Sequence, residues 1–214
     1  MNPAQKHIHN VTGVLLAGGK SRRMGVDKRF LKLGGETLLR RALSVYERLF
    51  SEILVVVAEP TTELGNIGHP IVTDLIPNCA TLGGLYTGLS VARNPRIFAS
   101  ACDMPFLNPA VIAHLLACCD DDVVMPKLAS GLQPMHAVYS KACLPYFKRM
   151  MAMNNLSIQA VLESHELRMQ LVPEEVLRTF DAQLLSFLNL NTPEDAELAK
   201  ILVEHDVGQG EDTR

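Results

Sequence analysis

A glycine turn followed by basic residues is the part of this chain best suited to hold a polyphosphate. The apolar run Val11–Leu16 predicts a buried strand, and Gly18 and Gly19 follow it after Ala17. Adjacent glycines let the backbone turn sharply and bring bare N–H groups close to a ligand. The nine residues after Gly19 include four cations, which are Lys20, Arg22, Arg23 and Lys28. The segment predicts a phosphate-binding loop, and the alternative is a tight turn with a solvated basic loop.

Two aspartates stand where predicted strands end. Asp74 follows the predicted strand 70–73, and Asp103 follows the predicted strand 96–102. Open α/β sheets bind ligands outside the carboxyl ends of their strands, so both carboxylates are expected near the glycine turn. A carboxylate at a strand end suits Mg²⁺, which takes one or two carboxylates together with substrate phosphates. The alternative for each residue is a turn aspartate that bonds its own backbone.

Further polar residues are candidates for a second substrate. Asn189 and Asn191 alternate along an extended segment, so both side chains would point to the same side. There they could bind a ligand, order the water shell of a metal, or hold the turn. Gln133 and His136 flank the start of a predicted strand and could line an acceptor pocket. His136 could titrate near neutrality, although a lone histidine is more often a packed or surface residue.

Two common nucleotide-binding motifs are excluded by counting residues. A P-loop needs a glycine five positions before Gly19, and Val14 occupies that position. The dinucleotide-binding pattern GxGxxG is also absent, because the two glycines are adjacent. The glycine turn therefore belongs to neither class.

Composition limits the class of protein. A chain of 214 residues with 48% hydrophobic and 20% charged residues predicts one globular domain, here 11–205, with tails at 1–10 and 206–214. A formal net charge of −3 argues against a nucleic-acid coat. No run of 18 apolar residues and no signal peptide are evident, so no membrane is expected. Five cysteines without a CxxC pair indicate reduced thiols and a cytoplasmic location.

Short apolar runs alternate with helical patterns, which predicts an α/β fold with a mainly parallel sheet. The predicted strands are 11–17, 53–58, 70–73, 96–102, 122–125, 134–139 and 168–172. The predicted helices are 37–50, 82–93, 108–118, 141–153, 156–163 and one that Thr192 caps.

With these residues assembled, the chain resembles a known family from about Val11 to Val203. It is similar to the molybdenum cofactor guanylyltransferases, nucleotidyltransferases with a single-domain, Rossmann-like, three-layer α/β/α fold. One motif is shared across related nucleotidyltransferases: Leu16-Ala17-Gly18-Gly19-x-Ser21-x-Arg23-Met24-Gly25-x-Asp27-Lys28. Three more narrow it to the molybdopterin branch: Cys102-Asp103-Met104-Pro105-Phe106, Gln133-Pro134-x-His136-Ala137-Val138-Tyr139 and Asn189-x-Asn191-Thr192-Pro193-Glu194-Asp195.

The resemblance implies a role for each candidate residue. Arg23 and Lys28 bind the triphosphate and balance the charge that develops on pyrophosphate, and Asp103 ligates Mg²⁺. Asn189, Asn191, Gln133 and His136 lie toward the acceptor or the outer shell of the metal. The remaining nucleotide-binding residues are Leu16, Ala17, Gly18, Gly19, Asp74 and Gly83.

The implied reaction is transfer of GMP from GTP to the phosphate of molybdopterin, with release of pyrophosphate. The implied partners are GTP, molybdopterin, and cofactor-delivery or molybdoenzyme chaperone proteins. Two positions depart from the family: Val57 matches an asparagine of some members, and Ala80-Thr81 replaces a Gly-Pro pair. Two alternatives stay open. One is a molybdopterin cytidylyltransferase that uses CTP, and the other is a non-catalytic nucleotide-binding partner protein.

Overall fold

The computed structural model describes residues 10–18, 27–118, 120–158, 160 and 166–209. Within these residues, no helix combines the length and the apolar character needed to cross a bilayer.

An eight-stranded, mostly parallel sheet forms the centre of the molecule. Its strands are β1 (Val11–Leu16), β4 (Ile53–Val57), β5 (Ile71–Thr73), β6 (Arg96–Ala101), β7 (Val123–Leu128), β8 (Gly131–Leu132), β9 (His136–Ser140) and β10 (Met169–Pro173). They run in the order β10-β7-β9-β6-β1-β4-β5, and β8 pairs with β7. β9 is antiparallel to β6 and β7, and β8 is antiparallel to β7. A separate hairpin is formed by β2 (Lys32–Leu33) and β3 (Glu36–Thr37).

Helices cover both faces of the sheet and make the three layers. They are α1 (Leu38–Leu49), α2 (Ala80–Val91), α3 (Pro109–Ala117), α4 (Cys143–Ala152), α5 (Glu174–Leu177) and α6 (Pro193–Gln209). Lys28–Phe30 and Leu185–Phe187 are 3-10 turns. One apolar core packs α1 and α3 against the sheet, and the other packs α2 and α4 against its opposite face. The predicted α/β fold with a mainly parallel sheet is confirmed.

Several local features differ from the sequence-based expectation. The second helix begins at Ala80, two residues before the predicted start, and the hairpin at Lys32–Leu33 and Glu36–Thr37 was not predicted. The predicted strand 134–139 begins at His136 and runs antiparallel, a direction that residue periodicity does not encode. Half of the predicted helix 156–163, namely 159 and 161–163, lies outside the described residues, as do the tail residues 1–9 and 210–214.

Helix α1 packs against β1 and is hydrogen-bonded to it through a tyrosine. The Thr37 side chain caps the helix by accepting a hydrogen bond from Arg40 N at 3.2 Å. The buried Tyr46 hydroxyl donates to the Val14 carbonyl at 3.2 Å and lies 2.8 Å from Ser100 Oγ. This hydroxyl links β1 and β6, which are neighbouring parallel strands of the sheet.

Helix α2 lies against β1 at a glycine. A Cβ atom at Gly88 would stand 2.6 Å from Val14 Cγ1, and Val14 is fully buried. We therefore expect Gly88→Ala to lower the free energy of unfolding by about 1–3 kcal/mol, although alanine favours helices. Urea denaturation measures the change, and Val91→Ala on the exposed side of α2 is the matched control, expected within about 0.5 kcal/mol of wild type. Unchanged or increased stability of Gly88→Ala would contradict this close packing.

Candidate active site

A cleft of about 870 Å³ lies at the carboxyl ends of the central strands. Four strands reach it through the residues that follow them: Gly18 after β1, Ala58 and Glu59 after β4, Asp74 after β5, and Asp103 after β6. Gly18 and the two aspartates are thus brought to the same edge of the sheet, where α/β folds bind ligands.

Lys28 joins two distant parts of the chain at the mouth of this cleft. Its Nζ donates to Asp103 Oδ2 at 2.9 Å and to Asn191 Oδ1 at 3.0 Å. The side chains of Lys28 and Asp103 are only 15% and 19% exposed. Limited solvent exposure strengthens a charge-assisted hydrogen bond relative to one on an open surface. The three residues therefore form a fixed polar group against the cleft.

The turn that carries Lys28 is held by its neighbours. Asp27 caps the 3-10 turn by accepting from Arg29 N at 3.0 Å and from Arg29 Nε at 2.9 Å. Arg29 also pairs with Glu63 at 3.1 Å. The hydrogen bond from Arg29 lowers the pKa of Asp27, and the same bond raises the pKa of Arg29. Arg29 lines the cleft, but it pairs with two carboxylates, whereas Lys28 pairs with one. Lys28 is therefore the cation of this turn better placed for a substrate phosphate.

Asp74 has one carboxylate oxygen without a hydrogen-bond partner among the described residues. Its backbone N–H donates to the Val57 carbonyl at 2.9 Å, which fixes the residue at the end of β5. Its Oδ1 is buried and has no hydrogen bond to any described residue. Burial raises the pKa of Asp74 to about 6. An N–H or O–H group of a ligand would donate a hydrogen bond to this oxygen. Without such a donor, its burial destabilises the protein, because the oxygen has lost its hydration.

The loop before α2 and the first residue of that helix form another wall of the cleft in an unusual conformation. Asn78 and Ala80 have φ values of 63° and 48°, and both line the cleft. The left-handed region favours glycine and costs alanine about 1–2 kcal/mol. Glycine, which the resembled family commonly has at the position of Ala80, adopts such a φ without that cost.

Val57 does not occupy the cleft. It is buried in the core on the α1 side of the sheet, whereas Val56 and Ala58 line the cleft. Alternate residues of a strand face opposite sides, so a neighbouring position must carry any side chain that touches a ligand. The asparagine that some family members carry is therefore better matched to Ala58 or Glu59, which line the cleft, than to Val57. The sequence analysis singled out neither residue.

The donor set fits a Mg²⁺ ion that is completed by a substrate. The described residues contain no group of three or more His, Cys, Asp or Glu side chains that could enclose a metal. Asp103 uses Oδ2 for Lys28, while its Oδ1 has no hydrogen bond within the described part of the chain. One or two carboxylates with several open positions are what Mg²⁺ uses when phosphates supply the remaining ligands.

Seven other predicted site residues fall into three groups. Leu16, Gly18 and Asn189 line the cleft, as do the residues already described. Ala17 and Gly83 lie behind its wall: the Ala17 N–H donates to the Val56 carbonyl at 2.8 Å, and a Cβ at Gly83 would stand 3.5 Å from Asp74 Oδ2. Gly19 and Arg23 lie outside the described residues.

Gln133 and His136 do not line the cleft. The Gln133 side chain bonds the Gly131 carbonyl at 3.3 Å, beside the start of β9. His136 is fully buried between the rings of Phe98 and Phe187, with centroid distances of 5.1 and 4.8 Å. Burial lowers the pKa of His136 to about 3, so the ring is neutral at physiological pH. Their neighbour Met135, which sequence reasoning did not single out, is the residue of this segment that lines the cleft.

Comparisons with known proteins agree with this arrangement. The family described as "MobA-like NTP transferase domain" matches residues 13–169. A molybdenum cofactor guanylyltransferase from Desulfosudis oleivorans is 36% identical over 197 residues, covering 91% of this chain and 96% of that protein. A probable molybdenum cofactor guanylyltransferase from Pelotomaculum thermopropionicum is 34% identical, covering 91% and 94%.

A solved structure has the same fold over its full length. It is the molybdopterin-guanine dinucleotide biosynthesis protein A from Archaeoglobus fulgidus, 26% identical in sequence, with a TM-score of 0.81. The alignment covers 91% of this chain and 100% of that one. The predicted resemblance is therefore confirmed, and this chain belongs to the MobA-like NTP transferase family.

Proposed function

We propose that this protein transfers GMP from GTP to the terminal phosphate of molybdopterin and releases pyrophosphate. The observation that carries the proposal is the meeting of Lys28, Asp103 and Asn191 at the mouth of the cleft, from sites 75 and 163 residues apart. The relatives named as molybdenum cofactor guanylyltransferases support the choice of guanine nucleotide and of pterin acceptor.

The reaction joins two polyanions. An oxygen of the molybdopterin phosphate attacks the α-phosphorus of GTP, a new P–O bond forms, and the bond from the α-phosphorus to the bridging oxygen breaks. The electron pair leaves with pyrophosphate. The attacking oxygen is already anionic, so the residues need to orient the phosphates and balance their charge rather than remove a proton.

Lys28 is proposed to make the main protein contact with the departing phosphates. Its ammonium is a compact cation that Asp103 and Asn191 hold in place, which suits a preorganised group that balances the charge developing on pyrophosphate. Arg23 is proposed to act beside it, as the family resemblance implies. Asp74 and the backbone of the glycine turn would hold the nucleoside, while Asn189 and Asn191 would face the acceptor.

Mg²⁺ is the proposed cofactor, and Asp103 is its proposed protein ligand. When bound, the ion screens repulsion between the phosphates and polarises them. Asp103 also anchors the lysine, so this carboxylate has two roles: it attracts the metal, and it sets the position from which Lys28 reaches substrate.

A cytoplasmic location is also proposed. Four cysteines in the described residues are free thiols, and Cys79, Cys102 and Cys143 are buried. Buried reduced thiols are typical of proteins in a reducing compartment. Delivery or chaperone proteins that would pass on the product remain a prediction.

Nucleotide choice is tested with purified protein, molybdopterin and Mg²⁺, supplied separately with GTP, CTP or ATP. We expect pyrophosphate release with GTP and a guanine dinucleotide product by mass spectrometry. Reactions without molybdopterin are the control for simple hydrolysis. A cytosine dinucleotide formed in preference would contradict the guanylyl assignment, and nucleotide binding without turnover would indicate the non-catalytic alternative.

A further inference from the structure

We propose that Asp195 is a positioning residue for Lys28 and acts through Asn191, so that the amino-terminal cap of α6 is part of the active site. The inference rests on the proposed function and concerns how the same site is held together.

Asp195 makes more hydrogen bonds than its helix requires. Its Oδ2 accepts from Thr192 N at 2.8 Å, and its own N–H donates to Thr192 Oγ1 at 3.1 Å. This reciprocal pair is a capping box, which satisfies the start of the helix. The same Oδ2 also accepts from Asn191 N at 2.9 Å, which lies before the cap. That additional bond fixes the backbone of the residue whose side chain touches Lys28.

The segment before the helix is fixed on its other side as well. Leu190 N donates to the Asp103 carbonyl at 3.0 Å, and the Leu190 side chain is fully buried. It packs in a small core with Leu33, Leu38 and Ala199. Asn191 is therefore held between the Leu190 anchor and the Asp195 carboxylate, and its Oδ1 has a defined position.

Lys28 depends on such a defined acceptor. A lysine side chain has four flexible carbons, and one hydrogen bond to Asp103 leaves its ammonium free to pivot. The second bond, at 3.0 Å to Asn191 Oδ1, restricts that freedom. Hydrogen bonds from Asn191 N and Thr192 N lower the pKa of Asp195, so its carboxylate remains charged and able to accept both.

Two alanine variants separate positioning from capping. Thr192→Ala and Asp195→Ala each break the capping box, but only Asp195→Ala releases Asn191 N. Glu194→Ala removes a neighbouring first-turn acid and serves as the charge control, since Asn191 N donates to Asp195 and not to Glu194. The first readout is acetylation of Lys28 by trace acetic anhydride in the nucleotide-free protein, followed by peptide mass spectrometry. The second is kcat and KM for GTP, and thermal melting reports loss of capping.

We expect Asp195→Ala to raise Lys28 acetylation severalfold and to lower kcat about tenfold with a smaller change in KM. Thr192→Ala should melt earlier to a similar extent while keeping wild-type acetylation and kcat. Asp195→Glu, which keeps a carboxylate, should recover part of the loss. If Asp195→Ala matches Thr192→Ala in both acetylation and kcat, Asp195 is only a helix cap and the inference is wrong.

The labelling also separates this inference from the proposed function. Absence of guanylyl transfer by wild-type protein would contradict the proposed function alone, because the acetylation comparison needs no turnover. Should Asp195→Ala not fold, Asp195→Leu, whose side chain likewise has no acceptor for Asn191 N, takes its place in the same comparison. Increased Lys28 acetylation in this variant supports the positioning role, and wild-type acetylation contradicts it.

Discussion

Replacing Lys28 or Asp103 by alanine is expected to lower kcat for guanylyl transfer by about 10²–10³-fold, the range found when one preorganised charge stabiliser is removed. Lys28 would no longer balance the charge on departing pyrophosphate. Asp103→Ala would remove both the proposed metal ligand and the acceptor that holds Lys28 at 2.9 Å. Neither side chain belongs to an apolar core, so both variants should fold.

The assay is steady-state pyrophosphate release with molybdopterin, supported by thermal melting and circular dichroism of each variant. Lys32→Ala is the matched control, because Lys32 is an exposed lysine on the adjacent hairpin. It should retain nearly wild-type turnover. Folded Lys28→Ala or Asp103→Ala protein with undiminished kcat would contradict the proposed roles.

His136 is expected to make the protein sensitive to acid. Its pKa falls from an ordinary 6.5 to about 3 because burial disfavours the charged ring, although the Asp181 carboxylate opposes this shift. The unfolded chain therefore binds a proton below about pH 6.5 that the folded chain does not bind until about pH 3. The free energy of unfolding should fall as pH drops through this window, by about 1.4 kcal/mol per pH unit and about 5 kcal/mol in total.

Urea denaturation between pH 7 and pH 4 measures this dependence. Neither ring nitrogen of His136 has a partner in the described structure, so His136→Leu should keep stability near neutral pH and flatten the acid side of the curve. His69→Gln removes a histidine that is 21% exposed and paired with Glu47, and it should leave the steep dependence in place. An equally steep curve for His136→Leu would show that another group causes the acid sensitivity.

Part of the site could be predicted from sequence because open α/β sheets bind ligands at the carboxyl ends of their strands. Asp74, Asp103 and the glycine turn each follow an apolar run, and carboxyl ends of parallel strands meet at one edge. Local residue types were enough, because each candidate is adjacent in sequence to the strand that places it. Thr192 is a similar case. The residues after it predicted that it caps α6, and its Oγ1 accepts a hydrogen bond from Asp195 N at 3.1 Å.

Sequence could not predict which face of the sheet a buried side chain occupies, nor which distant residues come into contact. All five residues of β9 are buried, so the pattern around His136 did not reveal which face it would occupy. The structure points it at Phe98 and Phe187 rather than into the cleft. The contact between Lys28 and Asn191 spans 163 residues and depends on Leu190 docking in its own core. No local pattern encodes such a contact.

Label transfer is the most direct test of the central claim that this site performs nucleotidyl transfer. Protein, molybdopterin and Mg²⁺ would be incubated in parallel with GTP labelled at the α-phosphate and with GTP labelled at the γ-phosphate. We predict that the α-label appears in the pterin product and that the γ-label leaves in pyrophosphate. Label from the γ-phosphate on the pterin, or no label from the α-phosphate, would contradict the account.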